Sequence, residues 1–309
     1  MTTHNLLKAI KYTFIPINRC NMCGSNCHHF SLMGRRLNNT QGFRPSKKIG
    51  VTITVEKCDS CGLVFPNPMP MVDTLVDHYD VPAKDYWDES YFDNNSGYFK
   101  EQIDWYRNLS PNIECSKALD IGAGLGKCMK ALSTAGFEVK GIEPSPSFAK
   151  RAIEINGIDP DNLKICSIEE ASFPEKYFDF ITFGAVLEHL YDPSSSIKKV
   201  MKWLKPSGLI HIEVPSASWL VGKLVNIIYK FSGQKFVTNL SPMHNPYHMY
   251  EFTLESFKRN GERCNYDIVD HKFYVGDTFL PKLLDRFIRP VMRATESGMQ
   301  LTVWLRKRE

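Results

Sequence analysis

The stretch from Lys117 to Lys127, reading Lys-Ala-Leu-Asp-Ile-Gly-Ala-Gly-Leu-Gly-Lys, limits the possible folds more than any other part of this chain. A short apolar run, Ala118 to Ile121, leads into Gly122, Gly124 and Gly126. Beyond them Met129, Leu132 and Ala135 supply the inner face of a helix. A second apolar run from Val139 then ends in Glu143, roughly 20 residues after the glycines, which is the spacing of a nucleotide-binding strand-turn-helix-strand unit. The glycines let the backbone bend tightly and approach a ligand where a Cβ would clash. A carboxylate at the second strand end is placed to accept hydrogen bonds from two ribose hydroxyls. The glycine spacing is G-x-G-x-G rather than the G-x-G-x-x-G of pyrophosphate binders, and Asp120 sits at the end of the first strand. An acid there repels a pyrophosphate and suits a ligand carrying an ammonium or sulfonium charge.

The same alternation continues downstream. Leu163 to Ile168, Phe178 to Gly184 and Leu209 to Val214 read as further short apolar strands. Helical stretches fall between them: one opens after Pro144, and another begins at Asp192-Pro193, runs through Leu204 and stops at Pro206-Ser-Gly208. Strands alternating with helices predict a parallel, doubly wound sheet with its ligand at the carboxyl ends of the strands. Gly122, Glu143, Ile168, Glu188 and Pro215 all fall at or just past such ends. The chain closes with two more strand-like segments, Tyr266 to Tyr274 and Met299 to Leu305, with an amphipathic stretch from Phe279 between them.

Four cysteines form two knuckles, Cys20-Asn-Met-Cys23-Gly and Cys58-Asp-Ser-Cys61-Gly. Each can aim two thiolates at one tetrahedral ion, and four thiolates close a structural zinc site. Redox dithiols are the alternative, but they normally sit in a βαβ context that is absent here. Residues 18–66, with a strand around Val51 to Glu56 delivering the second knuckle, read as a zinc ribbon-like module. Cys27, His28 and His29 follow the first knuckle as spare ligands. Then comes a proline-rich exit and an aromatic, acidic region that includes Asp80, Asp85, Tyr86, Trp87, Tyr91 and Phe92, read equally as a cap on the site or as linker packing.

No apolar run approaches the roughly 18 to 20 residues of a membrane span. The first 19 residues lack a long apolar core and a cleavage site, so the expected compartment is the cytoplasm. The net charge of +4 is spread over short basic pairs, which argues against a nucleic-acid footprint. Residues 217–260 form a long insertion with an apolar helix, Trp219 to Tyr229, read as a lid, a homodimer face or a peripheral membrane contact. The segment Ser241 to Tyr250 within it holds His244 and His248.

Asp120, the glycine trio and Glu143 resemble motif I of the class I S-adenosylmethionine-dependent methyltransferases. Phe178-Asp-Phe, Leu187-Glu-His-Leu-Tyr-Asp-Pro193 and Leu204-Lys-Pro-Ser-Gly-Leu209 resemble the matching motifs of the ubiquinone-biosynthesis-like (type 11/23) branch. The knuckles and their Gly62-Leu-Val-Phe-Pro-Asn-Pro tail resemble a bacterial group of that branch found in polysaccharide and secondary-metabolite pathways. Similar zinc-bearing modules occur in deoxysugar C-methyltransferases, but the resemblance does not extend to the large C-terminal domain of those enzymes, so C-methylation is not the expected reaction. The resemblance covers roughly residues 18–305.

The resemblance implies an α/β, Rossmann-like sheet of seven strands whose last hairpin is antiparallel. It implies residues 1–17 as an extension, 18–70 as the zinc module, 71–112 as linker and aromatic cap, and 113–309 as the methyltransferase domain with its lid at 217–260. S-adenosylmethionine would lie on Asp120, Gly122, Ala123, Gly124, Gly126, Glu143, Pro144, Ile168, Glu169, Gly184 and Ala185. Zinc would be held by Cys20, Cys23, Cys58 and Cys61. The expected reaction is O-methylation of a sugar hydroxyl on a nucleotide sugar or glycan. An RNA methyltransferase using its zinc module to touch nucleic acid, and a non-catalytic cofactor-binding scaffold, are the alternatives. A hydroxyl acceptor benefits from a base titrating near neutrality, which directs attention to His189, His248 and His244.

Overall fold

The computed structural model describes residues 11–37, 52–72, 97–110, 116–238, 240–276 and 278–308. The aromatic, acidic cluster between residues 80 and 92 lies outside them, as do residues 1–10 and Cys115.

Seven strands form the central sheet: β6 (Lys117–Ile121), β7 (Glu138–Ile142), β8 (Leu163–Lys164), β9 (Phe178–Gly184), β10 (Leu204–Pro215), β11 (Tyr266–Tyr274) and β12 (Gln300–Lys307). Their order across the sheet is β11-β12-β10-β9-β6-β7-β8. The five strands β6 to β10 run parallel, and β12 pairs antiparallel with both β10 and β11, so the expected terminal hairpin is present. The parallel strands are apolar because both faces of the sheet are covered. Leu119, Phe180, Ile181, Ile210 and Ile212 are fully buried.

Two elements differ from the sequence reading. The third strand shrinks to Leu163–Lys164 because it is a sheet edge with only β7 to pair with. The fifth starts earlier, at Leu204, where it already pairs with Phe178; its register shifts before Leu209, and Pro206-Ser-Gly208 lies inside that irregular stretch.

The covering helices start where local chemistry permits. In α3 (Pro146–Asn156) Ser145 is the N-cap, proline takes the first helical position and Gly157 closes the end in a left-handed conformation. In α4 (Pro193–Trp203) Asp192 Oδ1 accepts the backbone N–H of Ser195 at 2.9 Å. The remaining helices are α1 (Lys100–Leu109), α2 (Lys127–Thr134), α5 (Leu220–Phe231), α6 (Leu254–Cys264) and α7 (Lys282–Ala294).

The N-terminal segments form two small sheets. One pairs β1 (Tyr12–Ile15) with β5 (Met69–Val72), and the other orders β2 (Phe30–Leu37), β3 (Thr52–Cys58) and β4 (Val64–Pro66). Neither stands apart from the body built on the seven-stranded sheet. Cys20, Met22, Leu63, Phe65 and Met69 share one buried cluster with Leu119, Ile181 and Phe252. Val64 and Glu251 exchange backbone hydrogen bonds, both 3.0 Å, and the buried Arg36 donates to the carbonyl of Leu240 in the 217–260 insertion. Thr253 Oγ1, the N-cap of α6, donates to the carbonyl of Cys61 at 2.5 Å.

Candidate active site

Strand register builds the site. Ile121 lies opposite Ile142 on one side and Phe183 on the other, so Gly122, Glu143 and Gly184 follow in a row along the carboxyl edge. A cavity of about 280 Å³ opens there. Of the expected cofactor residues, Asp120, Gly122, Ala123, Gly124, Glu143, Pro144, Ile168, Glu169, Gly184 and Ala185 all line it.

Gly126 does not. A Cβ on Gly126 would fall 2.5 Å from Ile158, so this glycine permits α2 to pack on the segment after α3. Gly122 has φ +68°, and a Cβ there would meet Val186 at 2.6 Å.

The cavity has the chemistry of a cationic nucleoside site. Glu143 is buried, and its two oxygens accept the N–H of Ser145 and of Gly124, each at 2.8 Å. These bonds orient the carboxylate and leave it further lone pairs for a ligand. Burial pushes Glu143 up to about 7 against the lowering effect of those two bonds. Asp120 is also pushed up to about 7, first by burial and then by the charge of Glu143. One Asp120 oxygen is buried without a hydrogen-bond partner. A buried orphan acceptor is costly unless a ligand satisfies it, and an ammonium or sulfonium group does so. These residues fit S-adenosylmethionine.

Across the cavity stand two of the three candidate bases. His189 lies in the 3-10 turn that follows β9, and His248 lies in the 217–260 insertion; their ring centroids are 5.0 Å apart and both line the cavity. His244, the third, is not among the lining residues; burial and the nearby Arg36 lower it to about 4. Glu188 sits behind the pair, buried, with Oε1 3.8 Å from His248 Nε2 and 4.0 Å from His189 Nε2. Burial raises Glu188 to about 8 and drives His248 well below its usual range, so near neutral pH the contact joins neutral groups rather than an ion pair. Ala185 and Tyr247 hold left-handed backbone at φ 55° and 64°, a costly conformation for side chains with a Cβ, and both flank this cluster. His211, by contrast, is buried against Thr182 and held down to about 3 by burial, a structural role.

The sequence reading did not name several wall residues. Tyr98 and Phe99 at the start of α1, Lys127, Phe148 and Pro246 all face the cavity. Tyr98 and Phe99 fall inside the segment read as an aromatic cap, but no periodicity marks which of its rings turn inward.

The four knuckle cysteines converge. Their sulfurs lie within 4.8 Å of one another, with Cys20 to Cys61 at 3.5 Å and Cys23 to Cys58 at 3.6 Å. A tetrahedral zinc with Zn–S near 2.3 Å requires S···S edges of about 3.8 Å, so this donor set fits. Hydrogen bonds among the thiols lower Cys58 while raising Cys20 and Cys61, so without an ion one thiolate is held by its neighbours' protons, which a metal would displace. Cys27 is exposed and outside the cluster.

A family model described as a methyltransferase domain matches residues 95–271, more than half of the chain. The ubiquinone biosynthesis O-methyltransferase of Actinobacillus pleuropneumoniae is 28% identical over 214 residues, covering 64% of this chain and 83% of the relative. Its namesake from Aeromonas salmonicida is 24% identical over 232 residues, covering 70% and 95%. A solved S-adenosylmethionine-dependent methyltransferase from Mesorhizobium loti aligns with TM-score 0.47 and 14% identity, over 70% of this chain and all of that one. With the glycine edge, the orphaned acid and the seven-stranded order, the family match over residues 95–271 and the sequence relatives establish that the chain belongs to the methyltransferase-domain family and is a class I S-adenosylmethionine-dependent methyltransferase.

Proposed function

We propose that this enzyme methylates a hydroxyl oxygen of a small molecule or glycan. The observation that carries this reading is the pair His189 and His248, which face each other at the cavity wall beside the buried carboxyl group of Glu188. The bound cofactor supplies an activated methyl group. What remains for the chain is to align the acceptor and to take or displace one proton, and a hydroxyl is the acceptor that most needs this help. A sugar hydroxyl is the reading drawn from the sequence. The relatives' names favour a second acceptor, a hydroxyl on a ubiquinone precursor. Among the described residues, α5 and α7 support contact with a lipid surface or a lipid-linked acceptor. They expose Leu224, Ile227, Ile228, Phe231, Leu283 and Phe287 beside Lys223, Lys230, Lys282 and Arg286. No helix among the described residues is long and apolar enough to cross a membrane.

We assign zinc to Cys20, Cys23, Cys58 and Cys61, in a structural role. A gathered thiol cluster also suits a reducing, cytoplasmic compartment. The deciding experiment is a methyl-transfer screen with purified protein against nucleotide sugars, glycans, ubiquinone precursors and RNA. Product on a hydroxyl supports the proposal. Transfer only to RNA, or none with cofactor demonstrably bound, replaces it with one of the two alternative readings.

A further inference from the structure

We propose that Glu188, His189 and His248 bind a divalent first-row transition-metal ion at the wall of the cofactor cavity.

The three ligand atoms lie within 4.8 Å of one another. The two imidazole Nε2 atoms approach the same Glu188 oxygen at 3.8 and 4.0 Å. These separations are too long for hydrogen bonds between the groups. They fall within reach of a shared ion that draws them in by about half an ångström or more, because neighbouring ligands each about 2.1 Å from a metal lie roughly 3.0 to 3.4 Å apart.

Glu188 is only 1% exposed, and its Oε2 has no hydrogen-bond partner, an arrangement that is costly without a cation. His189 Nδ1 lies 3.2 Å from the carbonyl of Tyr247. A carbonyl can only accept, so Nδ1 carries the hydrogen and Nε2 presents its lone pair toward Glu188. The backbone braces the third ligand. Met249 N–H donates to the carbonyl of Glu188 at 2.9 Å, and His248 N–H donates to Ser241 Oγ at 3.2 Å.

Two neutral imidazoles and one carboxylate form the two-histidine, one-carboxylate set that suits divalent first-row ions and leaves further coordination positions open. Here those positions face the cavity that His189 and His248 line. Its role rests on the hydroxyl-acceptor reading above, whereas its existence does not. In that role the acceptor oxygen coordinates and releases its proton to solvent. Its lone pair forms the new O–CH₃ bond as the C–S bond breaks, and the electron pair stays on sulfur as a neutral thioether.

Mn(II) is the probe, since its hard character keeps it off the thiolate cluster. Free Mn(II), followed by electron paramagnetic resonance during titration into the full chain, should reveal one bound ion per chain. Glu188→Gln and His248→Ala should each weaken that binding by about tenfold or more. S-adenosylhomocysteine affinity, measured alongside, should stay near that of the unaltered protein and show that both variants keep a folded pocket. No bound Mn(II) up to millimolar concentration overturns the site, as does equal binding in the chain and in Glu188→Gln. Specific Mn(II) binding without methylation of any hydroxyl acceptor keeps the site and removes only the acceptor reading.

Discussion

Asp120 and Glu143 are two acids buried at neighbouring strand ends, a costly placement that a ligand offering a positive charge beside Asp120 and hydroxyl donors to Glu143 relieves. Both are raised to about 7 in the ligand-free protein, and a cation prefers their ionised forms. Below pH 7 binding must first expel protons, so affinity should fall with acidity. The expected loss approaches about tenfold per pH unit for each group that must ionise, and it vanishes above roughly pH 8. Calorimetry with S-adenosylmethionine at pH 6, 7 and 8 in buffers of different ionisation heat measures both the trend and the proton release. A flat profile would show that these carboxyls do not meet the cofactor's charge. Glu143→Ala should remove two charge-assisted hydrogen bonds to the ribose, each worth roughly 1.5 to 3 kcal/mol. It should also loosen the turns at Gly124 and Ser145, and therefore lower the melting temperature. Unchanged S-adenosylhomocysteine affinity in this variant would take Glu143 out of the site. His189→Ala and His248→Ala should cost about 10² to 10⁴ in turnover while barely moving cofactor affinity. Near-normal turnover in both would mean that positioning alone suffices.

At the scale of elements, the cysteine module braces α6 and the end of the 217–260 insertion that carries His248. The first knuckle receives hydrogen bonds from Asn260 and Arg263 of α6, both to the carbonyl of Met22, at 3.0 and 2.7 Å. Asn21 donates to the Tyr250 hydroxyl at 2.5 Å, and that hydroxyl donates to the carbonyl of Tyr191 at 2.8 Å. The second knuckle holds the N-cap of α6, and β4 pairs with Glu251, three residues past His248. Cys58→Ser should therefore abolish zinc content and lower the melting temperature, because a small metal module loses its fold with its ion. Turnover should fall with it as His248 loses its anchor, whereas S-adenosylhomocysteine affinity should change little, since no knuckle residue lines the cavity. Metal analysis, thermal melting and calorimetry on one preparation check all three. A Cys58→Ser protein that keeps full turnover would detach the module from the insertion.

At the scale of the whole molecule, the described residues present a large apolar exposed surface on α5 and α7. The helices pack on each other through Trp219, Val221 and Met292, and beyond that seam Phe231 is 88% and Phe279 82% exposed. Anionic vesicles should retain the protein at low salt, with the basic residues of both helices adding attraction. Replacing Phe231 and Phe279 by Ser should weaken partitioning by about 1.5 to 3 kcal/mol per ring that inserts. Cosedimentation that is insensitive to both replacements, or a stable dimer by light scattering, would give this surface to another occupant.

The sequence by itself determined the alternation of short strands and helices, the glycine turn and acids at the cavity edge, and the two knuckles. Each depends on neighbours close along the chain. Glycine spacing, an acid at a strand end and a Cys-x-x-Cys turn carry their geometry locally, so Asp120, Gly122, Glu143 and the four cysteines could be named from sequence alone. Glu188 was legible only as a residue past the fourth strand, and its meeting with His248, sixty residues later, was not. That meeting depends on the packing of the insertion, on the left-handed turn at Tyr247 and on the Val64 to Glu251 pairing, which no local pattern records. The packing role of Gly126 and the retreat of His244 from the cavity were likewise set by tertiary contacts, with Ile158 in one case and the Arg36 side of the insertion in the other. Local backbone chemistry writes a motif into adjacent residues, whereas the burial that turns a histidine toward or away from a cavity is decided by whatever the distant chain packs against it.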